Sequence, residues 1–162
     1  MKKIKTTLLT ITTILCMAAC QNEGDYKVIR KQVLDRHDQI MMDGEKAMND
    51  KMMLDTLALS GLAKLKAQQP SLDTAAEHRE IKRLTKKLDD ADERMNDWMH
   101  NFKTDVDGKS NQEAVDYFNG QKTKIAQLDS LYKAVLKEST GYLRKFNLKA
   151  DTTMKSMDHM KM

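Results

Sequence analysis

The stretch IKRLTKKLDDADERMNDWMHNF, residues 81–102, decides the fold. Ile81, Leu84, Leu88, Ala91, Met95, Trp98 and Phe102 recur in alternating steps of three and four, which lays them along one line of a helix. Almost everything between them is charged or polar. A helix with one narrow apolar seam and solvated flanks is stable only when that seam is covered, so the segment predicts neighbouring helices.

Working toward the N-terminus, Gln68-Gln69-Pro70-Ser71 breaks the chain, because proline disfavours helix in the residue before it. Asp73 then stands ready to cap the helix that follows. Before the break, a helix from about 25 to 67 carries Tyr26, Val33, Ile40, Ala47 and Leu54, with Leu34, Met41 and Met48 beside them. That makes a broad stripe suited to two neighbours, interrupted by His37 and Gly44. Toward the C-terminus, Lys103 to Ser110 is a polar turn with Ser110 as N-cap and Glu113 three residues on. The helix beyond, about 111 to 146, carries Phe118, Ile125, Leu128, Tyr132, Val135, Tyr142 and Phe146, interrupted by Gln121 and Ser139 and widened by Leu131, Leu136 and Leu143. No strand pattern competes. The expected fold class is all-α: three long helices, about 25–67, 73–102 and 111–146, in an antiparallel up-down-up bundle spanning 25–148. Apolar spacing ends after Leu148, so a methionine-rich disordered tail is expected over 149–162.

The first residues read differently. Lys2, Lys3 and Lys5 precede Leu8, Leu9, Ile11, Ile14, Leu15, Cys16 and Met17, the basic-then-apolar layout of an export signal. A spanning helix needs about 20 apolar residues; this run is shorter and is interrupted by threonines. Met17-Ala18-Ala19-Cys20 resembles a lipobox, in which small residues precede an acceptor cysteine, with Met in place of the usual Leu. The expectation is that residues 1–19 are removed and that Cys20, followed by a linker to residue 24, is lipidated; two or more acyl chains such as palmitate anchor stably where one does not. The alternative is a plain secreted chain with an unpaired cysteine.

Processing would take both cysteines out of thiol chemistry, which excludes thiolate metal sites and cysteine nucleophiles. It would also remove three lysines, leaving 25 basic against 24 acidic residues, so the net charge falls from +4 to +1. A near-neutral chain of interspersed charges gives no electrostatic reason to expect a nucleic-acid partner.

Two segments carry a family resemblance: Arg36-His37-Asp38-Gln39-Ile40-Met41-Met42 with Met48, and Ala91 to Lys103, ADERMNDWMHNFK. They resemble the signature segments of short Bacteroidetes lipoproteins commonly labelled viral A-type inclusion protein, although Gln39 stands where that family tends to have an acid. The resemblance implies a small helical cell-envelope lipoprotein and nothing viral. With Gln rather than Asp after Cys20, the familiar lipoprotein sorting rule would favour the outer membrane.

For chemistry, thioethers and imidazoles select Cu(I) or Ag(I) when cysteine is absent. His37 and Met41 are one turn apart on a shared face, and antiparallel pairing about residue 70 sets them level with Met99 to Phe102. A turn centred near 107 would set Trp98 opposite Val115. The candidate soft-metal ligands are therefore His37, Met41 and Met99, with Trp98 as a cation-π wall. Met154, Met157, His159, Met160 and Met162 form a second, separable set. The alternatives are ordinary core filling by methionine, a hydrogen-bonded packing histidine, and a tail that is solvated or oxidised sacrificially. No phosphate loop, serine elbow or zinc helix is present, the acidic run Asp89, Asp90, Asp92, Glu93 alternates with basic residues as a solvent face does, and no enzymatic activity is expected. A structural or protein-interaction role is the first expectation and soft-metal binding the second.

Overall fold

A computed structural model of the protein describes residues 25–148. It is all-α: α1 (Tyr26–Thr56) runs through a π-helical turn (Leu57–Gly61) into α2 (Leu62–Gln68), and α3 (Thr74–Asn101) and α4 (Asn111–Arg144) complete a three-layer bundle. No strand occurs among the described residues. The helix starts follow from local hydrogen bonding. The Asp25 side chain accepts from the Lys27 amide, Asp73 accepts from the Ala76 amide, and Ser110 and Glu113 close a reciprocal capping box.

α1 and α3 run antiparallel, with Arg30 reaching the Thr104 carbonyl, His37 meeting Met99, and Lys51 facing Asp89. The most extensive contact is the parallel one between α1 and α4. It pairs Tyr26 with Phe118, Arg36 with Asp129, and Asp50 with Ser139 and Thr140. The core combines Val33, Ile40 and Leu54 of α1 with the whole α3 seam and with Ile125, Tyr132 and Leu143 of α4.

Three features depart from the sequence expectations. The α3 to α4 register is displaced: Trp98 donates its indole N–H to Gln121, six residues beyond Val115. Phe102 leaves α3 in an extended conformation, so the connection carries the chain past the end of α3 before α4 begins, and the first turns of α4 pack below it against Tyr26. Secondly, the column Leu34, Met41, Met48 is not the second buried column of α1. Met41 and Met48 face solvent, and the second interior column beside Val33, Ile40, Ala47 and Leu54 is taken by Asp43, Asp50 and Leu57.

The third is the π turn. Continuing the seven-residue spacing of Val33, Ile40, Ala47 and Leu54 would bring Gly61 into the core. The five-residue hydrogen-bonded turn absorbs one extra residue, so that Leu62 is buried there instead. Gly61 suits the widened turn, since a Cβ there would meet Leu57 Cδ1 at 2.8 Å. Leu59 is swung outward and is 87% exposed.

Candidate functional site

The end of the bundle where α1 begins is filled by rings. Tyr26 stacks on Phe118 at 6.0 Å, Phe118 meets Phe102 edge-on at 6.2 Å, and Phe102 stacks on Trp98 at 4.7 Å. α1, α3 and α4 place one ring each, Tyr26, Trp98 and Phe118, and the extended backbone at Phe102 sets the fourth over Trp98. Trp98 is fixed at both faces of its role: its ring packs in the core and its N–H is satisfied by the buried Gln121 carbonyl at 2.9 Å. Gln121, an interruption of the α4 pattern by hydropathy, is the acceptor this indole requires.

His37 lies at the margin of this cluster, its ring 5.6 Å from that of Trp98. Nδ1 is 3.1 Å from a carboxylate oxygen of the neighbouring Asp38, and Nε2 is 3.4 Å from the Met99 sulfur on α3. A carboxylate only accepts, so the tautomer with its proton on Nδ1 satisfies Asp38 and turns the Nε2 lone pair toward the Met99 sulfur, whereas the other tautomer donates from Nε2 to that sulfur. In the first tautomer the pair holds two electron donors and no shared proton. A Lewis acid placed between the two atoms would accept from both.

Among the sequence-named ligands, His37 and Met99 are thus brought together from two helices. Met41 occupies the same face of α1 one turn on and is 43% exposed, and Met99 is 36% exposed. Cys20 and the second set, Met154, Met157, His159, Met160 and Met162, lie outside the described residues, as do residues 1–19, the 20–24 linker and the 149–162 tail. His100 donates from Nδ1 to the Asn96 carbonyl at 2.7 Å and takes no part in the pair. Among the described residues no three His, Cys, Asp or Glu side chains converge as a metal cage would require.

Two features were missed by sequence reasoning. One is the buried polar column between α1 and α4. Asp50, 1% exposed, accepts from Ser139 at 2.5 Å and Thr140 at 2.8 Å through one oxygen, while its other oxygen is buried without a partner. Asp129 accepts from both Arg36 and Lys133. The second is an apolar groove of about 420 Å³ at the opposite end of the bundle, walled by Met53, Leu57, Leu65, Phe146 and Leu148. Leu57 and Gly61 of the π turn form part of its wall, a distortion that a regular period cannot reveal.

No protein-family model matches the chain, and searches of the curated proteins and of the solved structures also return no match.

Proposed function

We propose that this protein is a cell-envelope lipoprotein, tethered to the bilayer through acyl chains on Cys20, whose helical bundle has a structural or protein-interaction role. No helix among the described residues is long and apolar enough to cross a membrane; two or more acyl chains on Cys20 would supply a stable attachment. Asp25 caps α1 five residues after Cys20, which keeps the start of the bundle within about 17 Å of the anchoring residue.

The observation that carries the interaction role is the position of the groove. The path from Tyr26 to Gln68 is 43 residues of helix and rises about 60 Å. A tether at Cys20 therefore holds the aromatic end beside the bilayer and offers the open, apolar groove at the far end to another envelope protein. Gln21 after the cysteine favours the outer membrane as the site of attachment, and the resemblance to short Bacteroidetes lipoproteins agrees with this reading.

Membrane fractionation tests it. The wild-type chain is expected in the membrane pellet and labelled by palmitate, whereas Cys20→Ala abolishes the label and releases the protein from the lipid. Unchanged, unlabelled distribution of the two would overturn the lipoprotein reading. A photo-crosslinking side chain at Leu65, in the groove, is expected to give a discrete adduct that one at Ser130, on the outer face of α4, does not. Equal patterns at both positions would leave the bundle a structural element.

A further inference from the structure

We propose that His37 and Met99, with Met41 closing over them, form a binding site for a soft monovalent cation, Cu(I) or Ag(I). The argument begins with the 3.4 Å separation of His37 Nε2 from the Met99 sulfur. Taking tetrahedral zinc as a scale, bonds of about 2.0 Å to imidazole nitrogen and about 2.3 Å to thiolate sulfur put two ligands of one ion about 3.5 Å apart. The pair is already spaced as two ligands of one ion are.

The acceptor beside Nδ1 also suits a ligand histidine. Metal-bound imidazoles generally donate their other N–H to a carboxylate or carbonyl, which fixes the tautomer and aims the free nitrogen. Asp38 provides that acceptor at Nδ1, 3.1 Å away. It is a positioning residue, acting through the ring. Met41 supplies the third donor: it sits one helical turn from His37, and its half-exposed, unbranched side chain can swing toward the ion without disturbing the core. The Trp98 ring, 5.6 Å from the imidazole, walls the inner side and favours a cation. Thioether and neutral imidazole together discriminate against Mg²⁺ and Ca²⁺, which require oxygen ligands, and select soft ions. Because His37 and Met99 come from α1 and α3, a bound ion would also link the two helices.

This site does not depend on the lipid anchor, so it is tested on the chain from Gln21 onward, which contains the whole described bundle and neither cysteine. Trp98 is the sole tryptophan and reports the site directly. Under anaerobic conditions, Ag(I) or Cu(I) is titrated against a chromophoric chelator while indole fluorescence is followed. The expected result is quenching that saturates at one equivalent. Met99→Leu, which keeps the side-chain volume, and His37→Gln should each weaken binding at least tenfold with helicity unchanged, and Asp38→Asn should weaken it about 10-fold or more. If His37→Gln misfolds, Met99→Leu decides. A chain ending at Leu148 should retain the quenching. Absence of quenching, indifference to Met99→Leu, or loss of binding on ending the chain at Leu148 would each overturn the site, the last by assigning the ion to Met154, Met157, His159, Met160 and Met162.

Discussion

α3 and α1 bury comparable lengths of helix by different means. Every interior position of α3 from Ile81 through Leu84, Leu88, Ala91 and Met95 to Trp98 is apolar. Along α1 the apolar residues Val33, Ile40, Ala47 and Leu54 alternate with Asp43 and Asp50, both buried, and with Arg36, which reaches across to Asp129. α3 gains its place from area removed from water, which is strong but tolerant of sliding. The polar partners of α1 are positional, because an Asp50 carboxylate displaced by one turn loses Ser139 and Thr140 and becomes an uncompensated buried charge. The apolar seam supplies cohesion, and the polar column specifies that α4 lies parallel to α1 in one register.

The sharpest way to break the contrast is to truncate both seams. Leu84→Ala, at a site that is almost wholly buried, should cost about 2–5 kcal/mol in urea unfolding, the range for a buried leucine. Ser139→Ala should cost less, about 1–3 kcal/mol, by leaving Asp50 with one hydroxyl donor fewer and one oxygen already unpartnered. Combining it with Asp50→Leu should recover stability relative to Ser139→Ala alone, since an apolar pair replaces a polar one whose partner is missing. Additive losses in that double variant would show that the column contributes nothing through pairing.

The π turn offers a milder test. Deleting the exposed Ser60 should restore a regular helix with the following leucine in the core position, so stability is expected to stay within about 1 kcal/mol. An unfolded product would mean that the turn is required rather than accommodated.

The smallest effect is in the surface charges over α3 and α4. Hydrogen bonds from Lys87 and then Arg83 hold Glu138 below the ordinary glutamate value of 4.5, and a hydrogen bond from Arg83 does the same for Glu80. A carboxylate with a lowered pKa in the folded state contributes stability above its unfolded value and loses it as pH falls through the folded one. The midpoint of thermal unfolding should therefore decline below about pH 4.5, and Arg83→Gln should shrink that decline slightly, both read by circular dichroism. These groups are well exposed, so high salt should reduce the difference.

The α3 seam was legible in the sequence because one neighbour line of uniformly apolar residues leaves a single period. The all-α fold and the helix starts at Asp73 and Ser110 were legible for the same local reasons. On α1 the methionines attracted the reading toward Met41 and Met48, because hydropathy cannot mark an aspartate as interior when its hydroxyl partners lie about 90 residues away. The α3 to α4 register was misplaced because an extended Phe102 lengthens the connection without changing its residue count. At the candidate site, the proximity of His37 and Met99 was accessible from helix pairing alone. The role of Asp38 was not, since it depends on which ring nitrogen faces which partner. The groove was invisible, because part of its wall is an irregular turn.

The functional reading rests on one premise, that the working chain begins at Cys20, and the intact mass of the protein isolated from cells tests this most directly. The account predicts a polypeptide starting at Cys20 and carrying the added mass of a diacylglyceryl group with or without a further acyl chain. A polypeptide that retains residues 1–19, or one that starts at Cys20 without lipid, would contradict it.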